Sequence, residues 1–284
     1  MVLPELDIEL TPGRARVRAA RPEQVTHVQN ALVAPASIIS TTAIPLTDPD
    51  PRAYHRAGST TVTDILAGRL EKAVLSRSVP LPGAPALDLV ATYLAGRRAN
   101  TPARSFLLDL AGWRAVGFSP ETVLEVDSEG MVQTQPLAGT RALGPDDAEN
   151  RRLRQELLRD PKEVHEHATS VRLAVDEMAQ VCRPGSVTVT EFMRVHDRGS
   201  VQHLASRVTG QLGDHQSAWS ALASLFPAIT ATGAPKAAAL EAISNWEEGP
   251  GGCTAAPSLT SLFAPPRPST APARRTRSGS RHRR

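Results

Sequence analysis

Ser105-Phe-Leu-Leu-Asp-Leu110, Arg114-Ala-Val-Gly-Phe118, Thr122-Val-Leu-Glu-Val126 and Met131-Val-Gln-Thr134 follow one another with almost nothing between them. Each run is short and rich in β-branched, aromatic or aliphatic residues, and Asp127-Ser-Glu-Gly130 before the last is a turn. Short runs joined by tight turns form a meander, which pairs as an antiparallel sheet. Downstream the period changes. Asp160-Pro-Lys-Glu163 offers an acidic cap, proline at the first helical position and Glu three residues after the cap. Val164, Ala168, Val171, Val175 and Met178 then recur at steps of four and three, which predicts a long helix with one buried stripe ending near Cys182-Arg-Pro-Gly185. Strands in one stretch and helices in another indicate an α+β fold, large antiparallel sheets flanked by helices.

Working outward, a helix is expected from Pro51 to about Leu70, a strand at Ala73–Val79 and a helix at Leu87–Ala99. Strands are expected at Ser186–Val195 and Leu204–Gly210, and helices at Ala218–Phe226 and Pro235–Trp246. Residues 1–50 show little periodicity. Val33–Pro51 reads as loop with one short strand at Ile38-Ile-Ser-Thr41. The implied organisation is a partial N-terminal scaffold segment (1–50), an incomplete catalytic domain (51–249) and a disordered basic tail (250–284).

Composition narrows the function classes. No run of about 18 apolar residues exists, so no membrane span is expected. The acidic, proline-broken N-terminus is not a signal peptide. Two cysteines give no disulfide framework or zinc pattern, which suits a reducing cytoplasm. The net charge of +3 comes from the tail, because residues 263–284 hold seven arginines and no acid. Without them 25 Lys and Arg face 29 Asp and Glu. A nucleic-acid partner would rest on that tail alone, and none is expected.

Several residues could carry chemistry. Glu163 and Glu166 share one helix face. They form either a solvated acidic first turn or a pair of oxygen ligands for a hard cation such as magnesium. Pro136-Leu-Ala-Gly-Thr140 and Thr230-Ala-Thr-Gly-Ala-Pro-Lys236 are glycine turns that can bring amides to an anion, or plain structural turns. Lys72, Glu121 and His203 each have an ordinary reading: a surface lysine, a turn carboxylate and a hydrogen-bonded core histidine.

In this order the runs resemble the chorismate-utilising enzymes: anthranilate, aminodeoxychorismate, isochorismate and salicylate synthases. The matching runs are Glu71-Lys-Ala-Val-Leu-Ser-Arg77, Gly117-Phe-Ser-Pro-Glu121, Pro136-Leu-Ala-Gly-Thr-Arg141, Lys162-Glu-Val-His-Glu-His167, Gly199-Ser-Val-Gln-His-Leu204 and Leu225-Phe-Pro-Ala-Ile-Thr-Ala-Thr-Gly-Ala-Pro-Lys236. Asn100-Thr-Pro-Ala-Arg-Ser-Phe-Leu-Leu108 looks most like the mycobactin-type salicylate synthases. The resemblance implies Lys72 as the base that activates water, where anthranilate synthases usually carry Gln. It implies Ala138 where aminodeoxychorismate synthases usually carry a nucleophilic lysine, and Glu121 as the acid that protonates the departing C4 hydroxyl. Gly139, Thr140, His203 and Thr230 would line the substrate pocket, and Glu163 and Glu166 would hold Mg2+. The implied activity is salicylate synthase: chorismate to isochorismate, then loss of pyruvate, in a siderophore-type pathway. An isochorismate synthase, or a catalytically dead remnant of the family, is the alternative. A monomer with chorismate as its small-molecule partner is expected.

The resemblance also implies a continuation through a Pro-Arg-Gly-Leu-Tyr-x-Gly run to further carboxylates, an arginine and a lysine. Here the chain reads Pro250-Gly-Gly-Cys-Thr-Ala-Ala-Pro257. Deleting one C from codons for the former run yields the latter, so a frameshifted tail is expected, with little or no turnover by the 284-residue chain.

Overall fold

The computed structural model describes residues 4–34, 50–77, 79, 87–110 and 112–247. The strand expected at Ile38–Thr41 and the tail from Pro250 lie outside the described residues. The chain divides into two compact units, Met1–Thr42 and Ala43–Arg284.

The first unit holds a hairpin, β1 (Leu6–Thr11) and β2 (Arg14–Ala19), followed by α1 (Pro22–Val33). Gly13 makes the turn at φ 72°, a left-handed conformation that glycine adopts at no steric cost. Asp7 pairs with Arg18 and Glu9 with Arg16 across the hairpin. Period-two alternation of Leu6, Ile8 and Leu10 with acids was therefore present in residues expected to lack periodicity.

The second unit opens with α2 (Arg52–Leu66), β3 (Lys72–Ala73) and α3 (Leu89–Ala99). The expected strand over Ala73–Val79 is reduced to β3. The four expected meander strands all form, as β4 (Arg104–Leu110), β5 (Trp113–Ser119), β6 (Thr122–Val126) and β7 (Met131–Gln135), but as two separate hairpins. The break falls at Ser119-Pro120-Glu121. Pro120 has no N–H to donate, and the Ser119 hydroxyl donates to the Glu121 carbonyl at 2.8 Å, turning the chain out of the first hairpin.

After β8 (Leu137–Ala142) come α4 (Asp147–Arg159), α5 (Pro161–Ala179), β9 (Thr188–Asp197) and β10 (Val201–Gln211). The described chain ends with α6 (Ala218–Leu225), a 3-10 turn at Ile229–Ala231, β11 (Gly233–Ala234) and α7 (Lys236–Trp246). β10 is the axis of a five-stranded antiparallel sheet. β7 and β8 lie end to end along one of its edges, separated by Pro136, and β9 pairs with the other. β6 adds beyond β7. β3 pairs with β11 and so ties the lysine motif to the turn before α7.

The main core lies between this sheet and helices α5 and α6: Val132, Val171, Ala174, Met178, Val208, Ala221 and Leu225. The buried face of α5 is His167, Ser170, Val171, Ala174 and Met178. It is rotated from the expected stripe because it includes two polar residues, which apolar periodicity does not register. α4 was not anticipated, since most of its residues are charged. Asp146 caps it by accepting from the Ala148 and Glu149 amides, and it buries one large side chain, Leu157 at 0% exposure, beside Leu158 at 45%. Leu157→Ala is expected to cost about 2–5 kcal/mol of unfolding free energy and Leu158→Ala under about 1 kcal/mol. Urea unfolding of both variants checks this; equal losses would contradict the placement of α4.

Candidate active site

Three connections, sheet β3/β11, the bulge in β8 and the first turns of α5, gather the candidate residues. Asp160 caps α5 through the amides of Lys162 and Glu163, which sets the helix start and sends Glu163 and Glu166 out on one side. β3 brings Lys72 over this face, where its Nζ donates to Glu166 Oε1 at 2.9 Å. Lys162 Nζ lies 3.3 Å from Glu163 Oε1 and 3.0 Å from Glu166 Oε2, and Arg141 reaches Glu163 at 3.5 Å. Burial opposes ionisation of Glu166, but the bonds from Lys72 and Lys162 outweigh it and hold the carboxyl below its ordinary range.

Opposite stands Glu121. Thr230 Oγ1 is 2.9 Å from both of its carboxylate oxygens and donates to one at a time. The Leu137 amide also donates to it, and Lys72 acts on it through space. Burial is the larger influence: it pushes the Glu121 carboxyl up to about 7, against the lowering by Thr230, Leu137 and Lys72. A carboxyl that titrates there is a proton donor at neutral pH.

The third part is the β8 bulge. The pairing with β10 jumps from Thr140↔His203 to Leu137↔Ala205, leaving Ala138 and Gly139 opposite a single residue. Gly139 takes φ 88°, which favours glycine, and a Cβ there would crowd Glu163 Oε2 and Leu204 Cδ1 at 3.2 Å. Thr140 Oγ1 and His203 Nδ1 are 2.9 Å apart. Burial, with Arg198 nearby, lowers the His203 pKa, which favours the neutral ring.

The structure thus joins Lys72 to Glu166, Glu121 to Thr230, Gly139 to Glu163 and Thr140 to His203. His203 bonds Thr140 rather than a charged member of the set. Lys162, Lys236 and His167 had been quoted only inside motifs, without roles. Lys236 Nζ forms a 2.6 Å ion pair with Glu177 and donates to the Ser224 carbonyl at 2.9 Å, fixing the start of α7. The spacing of Lys162 four residues before Glu166 was the available signal for their pairing. Glu121, Thr230, Thr134, Ser170 and Glu177 line one small cavity of about 20 Å³.

Magnesium can be tested against the donors. Glu163 and Glu166 converge on one ammonium, so their oxygens can share a cation, and magnesium commonly takes one or two carboxylates and keeps water on its other positions. The pair fits such an ion. Among the described residues no group of three or more His, Cys, Asp or Glu is placed to hold a metal. Among them, too, no helix is long and apolar enough to cross a membrane.

The pattern of the chorismate binding enzyme family matches residues 15–256. The salicylate synthase of Mycolicibacterium paratuberculosis (strain ATCC BAA-968 / K-10) is 50% identical over 203 residues, which is 72% of this chain and 45% of that protein. The crystal structure of anthranilate synthase component I from Streptococcus pneumoniae TIGR4 superposes with a TM-score of 0.66 at 26% identity, over 80% of this chain and 51% of that one. The menaquinone-specific isochorismate synthase from Escherichia coli shares the fold, with a TM-score of 0.67 at 22% identity over 86% and 59% of the two chains. The chain spans under half the length of its salicylate synthase relative. With 242 of its 284 residues inside the family pattern, this chain belongs to the chorismate binding enzymes.

Proposed function

We propose that this site carries out the salicylate synthase reaction: isomerisation of chorismate to isochorismate, in which water bonds to C2 and the C4 hydroxyl leaves as water, then loss of pyruvate. The observation that carries the reading is one site holding a buried carboxyl pushed up to about 7, Glu121, with a lysine, Lys72, close enough to act on it through space. In the first step Lys72, once its ammonium has released the proton it directs at Glu166 to solvent, takes a proton from water as the water oxygen bonds to C2 of the ring. The ring double bonds shift, and the C4 hydroxyl leaves as water with the proton from Glu121. Thr230 orients the Glu121 carboxyl for that transfer. The Gly139 turn and Thr140 would hold the substrate. Glu163 and Glu166 would hold magnesium, which when bound supplies positive charge against the substrate carboxylates.

The 50% identity to a salicylate synthase supports the second step over release of isochorismate. Because the chain spans 45% of that relative, the test uses a chimera in which the 203 aligned residues of this chain replace their counterparts in the Mycolicibacterium protein. With chorismate and Mg2+, salicylate and pyruvate are expected in equal amounts, read by fluorescence and chromatography. Isochorismate as the sole product would support the shorter reaction, and anthranilate formed from ammonia would overturn water as the nucleophile.

A further inference from the structure

We propose that His167 is a positioning residue that locks the Ala138–Gly139 turn of β8 onto the cation-facing side of α5, as the neutral tautomer with its proton on Nδ1. The role rests on the reading of Gly139 and Glu163 given above.

His167 is fully buried, as is Ser206. Its Nδ1 lies 3.1 Å from the Ala138 carbonyl oxygen and its Nε2 lies 2.7 Å from Ser206 Oγ. A carbonyl only accepts, so Nδ1 carries a proton. Ser206 Oγ already accepts the Met193 amide at 3.0 Å. Its own buried proton needs an acceptor, and Nε2 is the one in reach among the described residues, so Nε2 is bare. One directed chain results: Met193 amide to Ser206, Ser206 hydroxyl to His167, and His167 to the Ala138 carbonyl.

The two ends of that chain are irregular backbone. Met193 has φ 52°, a left-handed conformation that is rare for a side chain of its kind. Ala138 sits in the bulge where β8 leaves the β10 ladder. Ala138 has no partner in the β8–β10 register, and the imidazole donates to its carbonyl. His167 follows Glu166 directly and is four residues from Glu163 on the same helix. Holding Ala138 therefore sets where Gly139 meets the Glu163 side chain, a contact that a Cβ would crowd to 3.2 Å. One buried ring keeps the substrate turn and the cation carboxylates in fixed relation.

Two substitutions separate the ends of the ring. An Asn amide nitrogen falls near the place of Nδ1 and can still donate to Ala138. A Gln amide reaches toward the place of Nε2, keeping Ser206 but not Ala138. Hydrogen exchange of the 284-residue protein, read by mass spectrometry on the peptide covering residues 137–142, is expected to match wild type in His167→Asn and to run about tenfold faster in His167→Gln, with α6 unchanged in both. Equal exchange in the two variants would overturn the pin. Should either variant fail to fold, nitrogen-15 spectra of the wild-type histidines decide: a buried ring protonated on Nδ1 alone is expected, and protonation on Nε2 overturns the assignment. Chorismate titration of the chimera described above tests the underlying reading separately. Failure of the wild-type chimera to bind chorismate would remove the functional role, whereas faster exchange over residues 137–142 together with weakened chorismate binding in His167→Gln supports it.

Discussion

Glu121→Gln is expected to lower chorismate conversion by the chimera about 10²-fold or more, the usual scale for loss of a positioned general acid. Gln keeps the shape and can still accept from Thr230 Oγ1, which now lies 2.9 Å from the carboxylate, but it has no proton to give to the departing hydroxyl. The fold is therefore expected to survive and the rate to fall in kcat rather than KM. The pH dependence follows from burial. Glu121 is pushed up to about 7, so its protonated form, the competent acid, is full below that pH and is lost as pH rises through it. Parent turnover limited by the acid is expected to decline above about pH 7, while the residual rate of Glu121→Gln lacks that limb. A variant with parental kcat would remove Glu121 from the chemistry.

Lys72→Ala is expected to cost about 10²-fold or more in the same assay, for a different reason. It removes the proposed base and also the ammonium 2.9 Å from Glu166. The side chains are 17% and 30% exposed, so the carboxylate loses a partner in a partly dry setting but keeps Lys162 at 3.0 Å. A stability loss alone would appear as a lowered denaturation midpoint with normal kcat for the folded fraction. A lowered kcat at unchanged midpoint is the expected pattern, and unchanged kcat would leave Lys72 a structural ion-pair partner.

Much of this was legible before any coordinates, because the relevant signals are local. The Asp160 cap and the proline after it specify where α5 starts, and so which way Glu163 and Glu166 point. The Gly-Thr pair marked a turn at Gly139, which takes φ 88°. Other features depend on contacts far apart in sequence. Nothing around Lys72 says that β3 is two residues long, since its partner Gly233–Ala234 lies about 160 residues on. The meander pattern could not show that Pro120 splits it into two hairpins in different sheets. The helix α4 was hidden by its charge, and its one buried leucine is too little for periodicity to register. His167 is polar and follows Glu166, and its burial depends on the β8 bulge, Ser206 and Phe192, all distant in sequence. The raised pKa of Glu121 comes from burial, which outweighs the lowering by Thr230 and Leu137, and that burial is a tertiary property no motif encodes.

The central claim is that packing keeps the Glu121 carboxyl protonated near neutral pH beside a lysine base, and its most direct test needs no turnover. Infrared difference spectra of the 284-residue protein, recorded across pH with Glu121→Gln as the reference that assigns the band, report the protonated carboxyl. The account predicts a Glu121 band that titrates with a midpoint of about 7. A band already lost by about pH 5, the range of an ordinary exposed glutamate, would contradict it.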